Sequence, residues 1–98
     1  ALAMATGRHL VLFYDYVPDV VERRAPHREA HLALLRDLVA EGLVTQAGAL
    51  GDPPTGAAIV FATDDLAAVE RFAAADPYVA AGLVTGRRIV PWTVAVSA

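Results

Sequence analysis

The sequence predicts an α+β domain in which a four-stranded antiparallel sheet carries two helices on one face, in the order strand, helix, strand, strand, helix, strand. Three observations predict it. Short runs rich in β-branched and aromatic residues alternate with two longer segments of helical periodicity, and glycine or proline punctuates the junctions. The 98 residues suffice for one core, and no internal repeat, linker or low-complexity tract divides them. Hydrophobic residues make up 56% of the chain, a surplus for a domain that hides only roughly two-thirds of its unfolded surface. No apolar run approaches the roughly 20 residues of a spanning helix, so the surplus is expected to face a second copy of the chain.

Each element follows from local composition. The run His9-Leu10-Val11-Leu12-Phe13-Tyr14, within Arg8 to Tyr16, reads as a buried strand closed by Pro18 and Asp19. Pro26 opens a helix in its first turn and Gly42 stops it, with Leu34, Leu35, Leu38 and Val39 as the apolar stripe. Leu43 to Leu50 and Ala57 to Ala62 are two strands expected to pair antiparallel across the turn-rich segment Gly51 to Gly56. Thr63 is the expected N-cap of the second helix, with Asp64 and Asp65 on its positive end and Leu66, Val69, Phe72 and Ala73 facing inward. Pro77 ends that helix. Tyr78 to Gly82 allows one short turn, and Val84 to Val94 is the last strand, where Pro91 suggests an edge or a bulge. Two helices on one face leave the other face bare, and the same sheet of another copy is the natural cover.

Composition excludes several function classes. Eight arginines and no lysine stand against eleven acidic residues, a net charge of −3 without a basic block, so nucleic acid is not an expected partner. The absence of cysteine removes disulfides, thiolate nucleophiles, zinc ribbons and iron–sulfur clusters, and it fits a cytoplasmic protein. The first seven residues, Ala1 to Gly7, lack the features of a secretion signal and are set aside as an expression remnant or disordered start, which leaves residues 8–98 as one domain.

Two residues stand out chemically. His31 precedes Leu34, Leu35 and Leu38 by three, four and seven residues, so it lies on the helix's inward stripe. Such a ring is either a core histidine satisfied by a carbonyl or hydroxyl, or a general acid or base. Asp76, before Pro77, is either a plain helix cap or the carboxylate that orients His31 and stabilises its imidazolium. His27 and His31 share a face four residues apart, but Arg28 stands where the zinc protease motif needs glutamate and no third ligand follows by spacing; no metal is expected. Arg23 and Arg24 are surface charges or a clamp for a substrate carboxylate. Tyr14, Tyr16, Tyr78 and Trp92 are core aromatics or pocket walls.

The stretch Arg28-Glu29-Ala30-His31-Leu32-Ala33-Leu34-Leu35, with Ala74-Ala75-Asp76-Pro77-Tyr78-Val79-Ala80-Ala81-Gly82-Leu83 and Val90-Pro91-Trp92, resembles the YciI-like (YCII-related) family. The likeness runs from about residue 8 to residue 94, and the Asp-Pro-Tyr segment is its most specific part. The resemblance implies a ferredoxin-like fold that pairs into a dimeric α/β barrel, with an active site made by a helix histidine and the aspartate before Pro-Tyr, here His31 and Asp76. One branch of the family looks like lyases that eliminate chloride from a muconolactone-type ring, and other relatives occur as domains linked to regulators. The loop between the middle strands, Gly51 to Gly56, is shorter than in many relatives.

The expectation is therefore a sheet-to-sheet homodimer whose His31 and Asp76 carry out proton abstraction on a small anionic or cyclic organic molecule, without cofactor, in an isomerisation or elimination. Arg23, Arg24, Tyr14 and Tyr78 are the expected substrate contacts. The alternatives are a non-catalytic metabolite binder or accessory module, and a purely structural dimer.

Overall fold

In the computed structural model, which describes residues 7–98, strand β1 (Gly7–Tyr16) is central. Of the seven N-terminal residues set aside above, residues 1–6 lie outside the described range, and Gly7 opens β1 opposite Val94. Side chains alternate across a strand, so Leu10, Leu12 and Tyr14 enter the main core while Val11, Phe13 and Asp15 take the other face. The sheet order is β2-β3-β1-β4, with β2 (Val44–Leu50), β3 (Gly56–Phe61) and β4 (Val84–Val94). All neighbours are antiparallel. Pro91 lies on β4, an edge strand as expected, and the register shift of that pair falls at Asp15/Tyr16. Gly56 sits where a Cβ would collide with the Tyr14 carbonyl oxygen, so the β1–β3 approach requires glycine there.

Two helices cover one face. From α2 (Arg28–Ala40), Leu35 packs on Leu12, Ile59 and Phe61; from α3 (Leu66–Ala75), Val69 and Phe72 join the same cluster, with Phe61 and Phe72 edge to face at 5.7 Å between ring centroids. Burying each such side chain contributes about 1.5–3 kcal/mol. This is the ferredoxin-like βαββαβ arrangement, elaborated by two one-turn helices.

The second of these falls at the short turn expected after Pro77, whereas the first departs from the expected elements. The segment after Pro18 is helical: α1 (Val20–Arg23) and a 3-10 turn (Ala25–His27) precede α2, so Pro26 lies in the 3-10 turn and the long helix begins at Arg28. Val20 is fully buried against Tyr78 and Leu83 in a second small core, which fixes α1 to α4 (Pro77–Ala80). In α3 the cap is Asp65, which accepts the Ala67 N–H at 3.0 Å, while the Thr63 hydroxyl accepts the Asp65 N–H at 3.0 Å. Val69, Phe72 and Ala73 face inward as expected and Ala68 joins them, while Leu66, the first residue of the helix, is 52% exposed. Among the described residues no helix is long and apolar enough to cross a membrane.

Candidate active site

The site is built where α2, the α3–α4 bend and β1 converge. Asp76 has extended backbone angles, φ −71° and ψ 119°, because it both ends α3 and caps α4. Its Oδ1 accepts the Tyr78 N–H at 3.0 Å, the bond expected of an aspartate N-cap before proline. The same oxygen accepts the His31 Nδ1–H at 2.7 Å, and Oδ2 accepts the Tyr14 hydroxyl at 2.8 Å. Only an acceptor can answer three donors, so these are the bonds of a carboxylate. Asp76 is 1% exposed, and its desolvation is offset by the three hydrogen bonds.

The carboxylate fixes the imidazole. With Nδ1 donating to Asp76, the neutral ring of His31 carries its hydrogen there and leaves Nε2 as the basic nitrogen. Tyr78 stacks on the ring at 3.7 Å between centroids and 3° between planes, which holds its orientation from the side. Among the described residues Nε2 has no hydrogen-bond partner, yet no sealed side-chain nitrogen or oxygen among them lacks one. Nε2 is therefore open to the adjoining space. That space is a cavity of about 300 Å³ bounded by Tyr16, Arg24, Arg28, His31, Tyr78 and, on the other side, Leu32, Leu35, the Ala47–Ala49 stretch of β2, Pro54, Ala57 and Ile59.

The neighbouring phenols are held neutral. Burial, and then the Asp76 carboxylate, raises the Tyr14 hydroxyl well above the usual tyrosine range, so Tyr14 remains a donor to Asp76. Tyr16 is pushed up to about 12, chiefly by burial. Tyr78 is also raised by burial, while the Arg24 and Arg28 guanidinium groups act in the opposite direction on both Tyr16 and Tyr78.

The expected site residues separate into three positions. His31, Arg24 and Tyr78 line the cavity. Asp76 and Tyr14 lie behind it: Asp76 reaches it only through His31, and Tyr14, expected as a substrate contact, is 1% exposed and touches Asp76 instead. Arg23 is not on the cavity wall; its guanidinium lies 3.6 Å from Asp19 one helical turn back, because the short α1 turns it outward. Arg28, which sequence reasoning passed over as a failed zinc motif, lines the cavity, as do Tyr16 and the β2 stretch. A signal for Arg28 existed in its spacing on the helix, three residues before His31 and seven before Leu35. Capping and orientation, posed as alternatives for Asp76, are carried by the same carboxylate.

Comparisons with known proteins agree on the fold. An uncharacterised protein of Haemophilus influenzae is 33% identical over 86% of this chain and 95% of its own length. Protein YciI of Escherichia coli is 34% identical over 84% of this chain and 93% of its own. Among solved structures, the 5-chloro-2-hydroxyhydroquinone dehydrochlorinase of Burkholderia phenoliruptrix, in complex with 2,5-dihydroxybenzoquinone, superposes with a TM-score of 0.73 at 22% identity, covering 87% of this chain and 93% of that one. A protein of unknown function from Nitrosomonas europaea superposes with a TM-score of 0.58 at 23% identity, covering 97% and 95%. The sequence profile of the YCII-related domain matches residues 8–93, and the chain belongs to that family.

Proposed function

We propose that the protein is a small-molecule enzyme in which His31 Nε2 removes a proton from carbon next to a carbonyl and delivers it to another carbon of the resulting enolate, giving isomerisation, or keeps it while a group departs with its electron pair, giving elimination. The observation that carries this reading is the 2.7 Å bond from His31 to Asp76 with the opposite ring nitrogen open to a cavity. Asp76 is a positioning residue: it holds the tautomer that leaves Nε2 basic and balances the charge of the imidazolium that forms. Tyr14 does the same for Asp76 from behind. The substrate is a small anionic or cyclic organic molecule, in keeping with the cavity volume. No step in this scheme calls for a cofactor. Support also comes from the neighbour of the same fold whose name describes removal of hydrogen chloride from a ring of that size.

The working unit in this reading is a homodimer formed sheet to sheet. The face away from the helices presents Phe13, Val60, Val90 and, at its borders, Leu50 and Trp92, which are 43% and 45% exposed. A second copy is the cover that best matches such an apolar sheet.

Proton abstraction is tested with unsaturated lactones and hydroxyquinones in deuterated water, following loss of the carbon-bound proton by NMR. Exchange or elimination that requires His31 is the expected result; equal rates with His31→Ala overturn the proposal. A metabolite binder is the second reading, favoured by the fact that Asp76 already has a structural task as the α4 cap. It predicts that His31→Ala loses ligand affinity and that the native chain shows no exchange with any compound it binds.

A further inference from the structure

Of the eight arginines, four lie within ion-pair distance of a carboxylate: Arg23 with Asp19, Arg36 with Glu29, Arg71 with Asp65 and Arg87 with Glu70. Arg24 and Arg28 have no such partner among the described residues, and both border the cavity that His31 faces. Arg24 precedes the 3-10 turn Ala25–His27 and Arg28 follows it, so the turn carries the two arginines to the same cavity wall. Arg28 also stands in the first turn of α2, the end where the helix macrodipole disfavours a cation. The carboxylate in that turn, Glu29, is 2.9 Å from Arg36 and does not neutralise it. Two guanidinium groups without a carboxylate partner, Arg28 beside the Tyr78 hydroxyl, border a concave, partly apolar space and leave local positive charge that a bound anion would balance.

The remaining walls define what the anion is attached to. Leu32, Leu35, Ala57 and Ile59 are apolar, and the small side chains of Ala47 to Ala49 leave that side flat. About 300 Å³ is room for one substituted ring, since a cavity near 150 Å³ already accepts benzene. We propose, resting on the reading of His31 as the proton-transfer group, that Arg24 and Arg28 form a two-cation clamp for the carboxylate or acidic enol oxygens of a single-ring substrate whose apolar body lies against Leu32, Leu35 and Ile59. Arg28 is thereby a substrate-binding residue, and the clamp turns the acidic carbon of the ring toward His31.

Benzoate is the probe, with benzyl alcohol as its neutral counterpart and inorganic phosphate as an anion without a ring. Binding is read from amide shifts of the ¹⁵N-labelled full chain. Benzoate is expected to shift residues on the 24–31 segment and Tyr78, and to bind more tightly than either control. Arg24→Gln and Arg28→Gln are each expected to weaken benzoate about tenfold or more, the loss of a charge-assisted bond, while Arg36→Gln leaves it unchanged. Equal affinity for benzyl alcohol, tighter binding of phosphate, or an Arg28→Gln chain that binds benzoate as the native one does would each overturn the clamp. His31→Gln separates the two proposals. It should keep benzoate affinity while losing carbon-proton exchange; intact exchange sinks the acid–base reading alone, and benzoate loss in His31→Gln without loss in Arg28→Gln sinks the clamp.

Discussion

Two histidines of this chain are equally hidden and chemically unlike. His9, on β1, is 4% exposed; its Nδ1 donates to the Gly7 carbonyl at 3.1 Å, and Trp92 lies 6.4 Å away at a tilted 59°. His31, on α2, is 6% exposed, but its Nδ1 partner is a carboxylate and its ring lies flat against Tyr78. A carbonyl oxygen fixes a tautomer and gives a proton gained at the other nitrogen only a dipole. A carboxylate fixes the same tautomer and supplies a full opposite charge. Burial alone does not separate the two rings; the group behind each does. The bland reading weighed for His31, satisfaction by a main-chain carbonyl, describes His9.

The comparison can be broken most sharply at the two rings themselves. His31→Ala is expected to lower carbon-proton exchange by about 10²–10⁴-fold, the usual contribution of a general base, and His9→Ala to leave it within about twofold while costing about 1–3 kcal/mol of stability. Comparable losses of exchange in both variants would erase the distinction. Next in size is Asp76→Asn, which removes the charge but keeps the shape. Urea unfolding should show a loss of about 2–4 kcal/mol, because three donors lose a charged acceptor and one meets an amide N–H instead. An unchanged unfolding midpoint would show that Asp76 is not the centre of that network.

The smallest effect belongs to Tyr14→Phe. Near neutral pH it should cost about 1.5–3 kcal/mol, one hydroxyl-to-carboxylate bond. Its sharper signature is alkaline. The folded chain holds the Tyr14 and Tyr16 protons to higher pH than the unfolded chain, whose tyrosines titrate near about 10. Their contribution to stability is therefore level below about pH 10 and falls as pH rises from there through the Tyr16 value of about 12. Tyr14→Phe should fall less steeply, as urea midpoints at about pH 8 and about pH 11 would read. A slope identical to the native one would remove Tyr14 from the alkaline transition.

Much of the fold was legible because its signals are local. Leu10, Leu12 and Tyr14 alternate, Leu34, Leu35 and Leu38 recur at helical spacing, and Gly51 to Gly56 breaks the chain into a hairpin. The one-turn helix α1 was not legible, since four residues are too few to display a period, and with it went the directions of Arg23 and Arg24. The α3 cap went to Thr63 on composition, while Asp65 took it by geometry, which makes Leu66 the first helical residue, half exposed at the helix end. For the site, the inward face of His31 and the capping position of Asp76 could each be read separately. Their meeting depends on how the sheet brings β1 under the α3–α4 bend, and Tyr14 could be assigned to the core by alternation but not to Asp76.

The bend at Asp76 ties backbone path to proton handling, because one oxygen both starts α4 and grips the imidazole. Changes there would disturb folding and chemistry together, so a lineage diversifying its repertoire has little freedom at that corner. The flat β2 wall and the pair of guanidiniums carry no such double duty. Under the proposed function, different molecules are accommodated by exchanging those side chains while the imidazole nitrogen stays where it is.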